Sequence, residues 1–159
     1  GAAAEPLNAS VADLVRRLRV GRAAELLGVC ERAVELTASY TQTRQQFGMP
    51  IGMFQAVKQR IADAYIDTAA LEVATLRAAA SLDVGGDVDR AVLVASIWAA
   101  NAGHRVTIAA QHLHGGMGFD RDYIIHRYFL RAKRLEFTLG SAPVATAELG
   151  VLIAAQGAA

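Results

Sequence analysis

Two short runs carry residue types that can do more than pack. The first is Thr43-Arg44-Gln45-Gln46-Phe47-Gly48, followed by Pro50, Ile51 and Phe54-Gln55-Ala56. The second is His112-Leu113-His114-Gly115-Gly116-Met117-Gly118-Phe119, followed by Tyr123 and His126-Arg127-Tyr128-Phe129. An arginine at a helix end offers a diphosphate a planar fork of donors, and a phenylalanine one turn on can lie against a ligand's ring. At Gly115, Gly116 and Gly118 the missing side chains let backbone amides approach an anion. Taken singly, these residues have plainer readings: Arg44 as a solvated helix end, Phe47 as core, the glycines as a helix stop. The histidines suggest a metal, with His112 and His114 two apart and His104 and His126 elsewhere. At a helix end that spacing turns the rings in different directions, and no cysteine or carboxylate cluster completes a shell, so no metal site is read here.

The elements that must position these runs are helical. Residues 1–10 read as a linker or remnant ahead of a helix capped near Asn8 or Ser10, and 11–159 as one bundle domain. From Val11 to about Gln45, Leu14, Leu18, Leu26, Val29, Ala33 and Leu36 recur near a helical period and predict one long helix facing a core. Gly48 to Gly52 is a turn. Phe54, Val57, Ile61, Tyr65, Thr68 and Leu71 mark a second helix to about Leu82, broken by Asp83-Val84-Gly85-Gly86-Asp87. A third should run from about Val88 to His112, with Val92, Ile97, Ala100, His104 and Ile108 inward. Two shorter helices follow, roughly Ile124 to Arg134 and Ala142 to Ala155. Three long helices joined by short loops must alternate in direction, which predicts an all-α fold: an antiparallel up-down helical bundle with a four-helix core plus a short C-terminal helix.

Composition agrees. The chain has 159 residues, 53% hydrophobic but only 6% aromatic, and 33 are alanine, the best helix former and a small one. That argues for closely packed helices and against a β-sandwich or barrel. Sixteen basic residues against fifteen acidic leave a net charge of +1, too little for a nucleic-acid partner. Cys30 is the only cysteine, so no intrachain disulfide can form. The start, GAAAEPLNAS, lacks the basic and apolar regions of a signal peptide, and no run reaches about 18 apolar residues. The expectation is a cytoplasmic chain with no membrane partner.

In this order, separated by two helices, the paired motifs resemble the C-terminal helical domain of the acyl-CoA dehydrogenase flavoprotein family, from Leu14 to Leu152. The resemblance implies that Arg44 and Phe47 reach the FAD of a neighbouring subunit. It also implies that Gly115, Gly116 and Gly118 approach its diphosphate. His112 stands where the family has a glutamine contacting the flavin adenosine. Family members place this bundle after an N-terminal helical domain and a β-domain that holds the flavin ring. The chain is therefore read as part of a longer subunit, inactive and without FAD when isolated.

The family removes a proton alpha to the thioester carbonyl while hydride passes to the flavin, so a carboxylate must stand opposite the flavin. Most members carry it before the glycine of an aromatic-Glu-Gly-Thr turn. The matching run is Phe137-Thr138-Leu139-Gly140-Ser141, with Leu139 at the glutamate position. A second group places it on the first helix before an arginine, matched by Leu18-Arg19. Leucine cannot take a proton, so no catalytic residue is assigned. Glu136, three residues before Leu139, is the fallback and reads more simply as a solvated glutamate; Asp13 and Glu25 read as surface charges. The resemblance is nearest to the non-catalytic subunits of actinobacterial heteromeric acyl-CoA dehydrogenases, several of which act on steroid side-chain thioesters. The partners implied are acyl-CoA dehydrogenase subunits, in a homo- or hetero-oligomer, with acyl-CoA as substrate of the whole assembly. The alternative is a non-enzymatic helical oligomerisation module that has lost flavin.

Overall fold

The computed structural model describes residues 10–138 and 140–157. Five helices form the chain: α1 (Val11–Thr43), α2 (Gln55–Val84), α3 (Val88–His114), α4 (Ile124–Phe137) and α5 (Ala142–Gly157). The fold is the all-α antiparallel bundle expected. Its start is fixed by Ser10, whose hydroxyl accepts from the Asp13 N–H at 3.1 Å; Asn8, the other expected cap, lies outside the described residues. Gly85, at φ +80°, ends α2, and Asp87 caps α3 by accepting from the Arg90 N–H.

Small residues let the long helices approach. Ala23, Leu26, Cys30 and Ala33 on α1 are fully buried, as are Leu71 and Ala78 on α2 and Ala99, Ala102 and Val106 on α3. At Gly103 a Cβ would lie 2.7 Å from Leu26 Cδ2, so a glycine is what sets this α1–α3 spacing. Burial raises the Cys30 thiol to about 12, which leaves it an inert packing group.

Several expected inward residues face water. Leu14 and Leu18 are exposed, because a four-residue spacing advances about 400° at 3.6 residues per turn; counted back from Leu26, the slip reaches about 120° at Leu14. Tyr65 and Ile108 are also exposed, and His104 and Ile97 are half-buried. Helix α1 stops at Thr43 rather than Gln45, since residues 45–50 form a small antiparallel hairpin. It comprises β1 (Gln45–Gln46) and β2 (Met49–Pro50), with Gln45 opposite Pro50 and Gln46 opposite Met49. A 3-10 turn, Ile51–Met53, follows; there Gly52 passes so close to α1 that a Cβ would meet the Thr41 carbonyl oxygen at 3.0 Å.

Over Ile124–Gly157 the composition is apolar enough for a membrane-crossing helix. The chain instead divides there into helices of 14 and 16 residues, each shorter than the roughly 20 a crossing needs.

Candidate functional site

Both motifs lie at one end of the bundle. Helices α1 and α3 run the same way, and their last turns meet where Tyr40 stacks on His114 with ring centroids 4.1 Å apart. The Arg44 N–H closes α1 on the Tyr40 carbonyl at 2.8 Å, and the Arg44 carbonyl accepts from the Ile51 N–H at 2.8 Å, which fixes the root of the hairpin. The hairpin's two-residue turn has φ +53° at Phe47 and +81° at Gly48. Such a left-handed pair matches the strand twist of a tight hairpin, but it is strained for a bulky side chain. Phe47 is 89% exposed, and its ring meets Phe54 edge-on, with centroids 6.1 Å apart. Arg44, Gln45 and Gln46 are exposed beside it.

The glycines divide into two kinds. Gly115 ends α3 at φ +62°, and a Cβ on Gly115 or Gly116 would meet nothing within 4 Å. Gly118 is buried: a Cβ there would lie 2.4 Å from the Gln111 carbonyl oxygen, and Gln111 Nε2 donates to the Gly118 carbonyl at 3.1 Å. Packing by itself explains Gly118. His112 is exposed, whereas His114 is buried with Nδ1 2.9 Å from the Tyr123 hydroxyl. Burial holds His114 down to about 4, so the ring is neutral at pH 7, with Nδ1 hydrogen-bonded to the Tyr123 hydroxyl. Among the described residues Nε2 has no partner. The Tyr40–His114–Tyr123 stack was invisible in the sequence, where the three residues are spread over 84 positions with no shared period.

Of the two positions matched to the family's base, Leu18 lies toward the other end of α1. Leu18 is exposed, and Leu139 lies outside the described residues. Around position 139, Arg22 donates from Nη1 to the carbonyl oxygens of Thr138 and Gly140, the latter at 2.7 Å. Arg22 is only 5% exposed; burial first, then the nearby Arg19 charge, lower its pKa. Arg19 forms a bidentate pair with Glu148 at 2.7 and 2.9 Å, and that hydrogen bonding holds the Glu148 carboxyl below its usual range. Glu136 differs from the solvated glutamate expected: its side chain is 16% exposed, 2.7 Å from Lys133 Nζ and 3.3 Å from His104 Nδ1. Lys133 Nζ also touches His104 Nδ1. The Glu136 carboxylate is thus engaged inside the chain by Lys133 and His104. Asp13 and Glu25 are surface charges that pair with Arg16 and Arg131. Arg22 escaped the sequence reading because a lone arginine inside a helical pattern carries no sign of burial. Among the described residues no three His, Cys, Asp or Glu side chains gather closely enough to hold a metal.

A sequence profile described as the acyl-CoA dehydrogenase C-terminal domain matches residues 10–150. The chain belongs to the acyl-CoA dehydrogenase family. Its similarity to acyl-CoA dehydrogenase FadE27 of Mycobacterium tuberculosis is 48% identity over 131 residues, covering 77% of this chain and 35% of that protein. Acyl-CoA dehydrogenase FadE28 of the same organism is 35% identical over 117 residues, covering 71% of this chain and 33% of that one. Among solved structures, the Tcur3481-Tcur3483 steroid ACAD G363A variant superposes with a TM-score of 0.86 at 46% identity, covering 89% of this chain and 39% of that one. The ChsE4-ChsE5 complex from Mycobacterium tuberculosis does so at 0.86 and 45%, covering 89% and 38%. This acyl-CoA dehydrogenase domain spans about a third of the length of the curated relatives it matches.

Proposed function

We propose that this chain is the C-terminal domain of a flavin-dependent acyl-CoA dehydrogenase subunit that helps hold a neighbouring subunit's FAD and lacks the catalytic base. One observation carries the reading: Phe47 is held at positive φ with its ring in solvent, beside exposed Arg44 and at the same bundle end as the open Gly115–Gly116 turn. Strain at an exposed aromatic persists where something outside the chain uses the ring. The residues fit the group. Phe47 would lie against the adenine, Arg44 would meet the diphosphate with its donor fork, and Gly115 and Gly116 leave room for a phosphate, with His112 at the rim. Bound there, the flavin would accept hydride from the acyl chain.

A carboxylate is missing where one would be needed. Leu18 and Leu139 offer none, and Glu136 is committed to Lys133. The base would come from a homologous subunit, a reading supported by the similarity to the ChsE4-ChsE5 complex and the Tcur3481-Tcur3483 steroid ACAD. The latter, a steroid ACAD, also favours a steroid thioester as the acyl-CoA class. Along α1, Leu18 and Arg44 are about 39 Å apart at 1.5 Å per residue, so the two ends would serve different flavins.

The test is flavin content and acyl-CoA turnover of the subunit carrying this domain, assayed with and without a glutamate-bearing homologue. Turnover is expected only with the partner. Arg44→Ala should lower flavin occupancy about tenfold, since a charge-assisted contact contributes roughly 1.5–3 kcal/mol. Full turnover without the partner would overturn the missing base, and flavin content indifferent to Arg44 and Phe47 would favour an oligomerisation module.

A further inference from the structure

His114 joins three segments of the motif-bearing end. It is the last residue of α3, and after it the chain passes through the 3-10 turn Gly115–Phe119 before Tyr123 brings it back. There the Tyr123 hydroxyl lies 2.9 Å from His114 Nδ1, with the ring centroids 5.3 Å apart. An excursion that contains the open Gly115 and Gly116 is thus closed on the residue it departs from. His114 also stacks on Tyr40 at an interplanar angle of 22°, and the Tyr40 carbonyl accepts from the Arg44 N–H where α1 ends and the hairpin begins.

Packing by itself does not call for a histidine at this point. A phenylalanine would stack on Tyr40 as well, and the imidazole carries a cost: it is 3% exposed, and its Nε2 has no partner among the described residues. What the ring nitrogen adds is direction, because a hydrogen bond fixes a ring's orientation where apolar contact leaves it free to turn. Tyr123 can act as the anchor. Its N–H donates to the Asp120 carbonyl at 3.2 Å, and its carbonyl accepts from the His126 N–H at 3.1 Å as α4 begins. We propose that His114 is a positioning residue: by tying Tyr123 to Tyr40 it sets the glycine turn and the Arg44–Phe47 hairpin in one fixed relation, so that both face a single ligand. The inference rests on the flavin reading for the identity of that ligand, whereas the coupling of hairpin to turn is measurable without it.

Amide hydrogen exchange of the full chain, with urea unfolding alongside, tests the coupling. Tyr123→Phe keeps the ring and removes the hydroxyl. It should speed exchange of the Ile51 N–H, held on the Arg44 carbonyl at the hairpin root, by about tenfold. The amides of the fully buried Leu26 and Val106 should change only as far as global stability does. His114→Phe should act in the same way, and Tyr123→Phe added to it should bring less than about a further twofold, as for two residues working through one contact. Equal acceleration at Ile51, Leu26 and Val106 would overturn the proposal, as would an unmoved Ile51 or independent effects of the two substitutions; if His114→Phe does not fold, Tyr123→Phe decides. In the subunit carrying this domain, assembled with a glutamate-bearing homologue, Tyr123→Phe should lower flavin occupancy about threefold with Arg44 and Phe47 intact. Occupancy that falls with Arg44→Ala and not with Tyr123→Phe would overturn the positioning role and keep the flavin reading. Occupancy indifferent to both, with Ile51 exchange accelerated, would overturn the flavin reading and support the coupling.

Discussion

The two ends of the bundle are finished in opposite ways. At the Tyr40–His114 end, Arg44 through Met49 are all exposed, a phenylalanine is held in a glycine's conformation, and a two-glycine turn stands open. Around Arg22 the prominent charges are paired within the chain, Arg22 on two backbone carbonyls, Arg19 on Glu148, and Glu136 on Lys133 and His104, while the Nε atoms of Arg19 and Arg22 are buried with no partner among the described residues. An end whose charges are paired within the chain is tied to the fold, and strain and donors left in water are what the proposed ligand contact would use. The contrast is the ground on which ligand contact is proposed for the first end.

Substitutions at the paired end should be costly. Arg22→Ala removes a buried guanidinium and strands two carbonyls, so urea unfolding should show a loss of about 3 kcal/mol. An Arg22→Ala chain as stable as wild type would mean that this end is not locked by Arg22. The glycine turn sharpens the comparison within a few residues. Gly118→Ala collides with the Gln111 backbone and should cost about 1–3 kcal/mol, whereas Gly116→Ala projects into open space and should change stability by less than about 0.5 kcal/mol. If flavin uses the open glycines, Gly116→Ala should lower its occupancy in the assembled enzyme with stability intact.

Acid should weaken the open end first. His114 has its pKa depressed from 6.5 to about 4 by burial, so below pH 6.5 the unfolded chain takes up a proton that the folded chain refuses. Stability present above pH 6.5 should therefore fall progressively down to about pH 4, and His114→Phe should flatten that limb of a urea-midpoint profile. An unchanged profile would show that another group sets the acid sensitivity. Phe47→Gly runs the other way: relieving the positive φ should raise stability by about 1 kcal/mol while weakening flavin binding in the assembly. The smallest effect belongs to Arg44→Ala, whose thermal midpoint should match the wild type, because its side chain is exposed.

Much of this protein was legible before folding. Five helices, their order and most of their boundaries follow from alanine content, apolar period and the positions of glycine and proline, because these act locally. So does the placement of both motifs near helix ends, since Gly48, Pro50 and Gly115 keep a helix from running through them wherever the bundle puts them. The sequence also carried leucines at both positions matched to the family's base, a matter of side-chain identity alone. Facing and partnership it could not carry. Whether Leu18 or Tyr65 faced inward depended on where neighbouring helices lay, and each misreading came from a spacing of four that slips about 40° per step. The burial of Arg22, the pairing of Glu136 with Lys133 and His104, and the stacking of Tyr40 on His114 join residues from different helices. Contacts of that kind are decided only when the helices pack, because no local pattern fixes which side chains meet across a bundle.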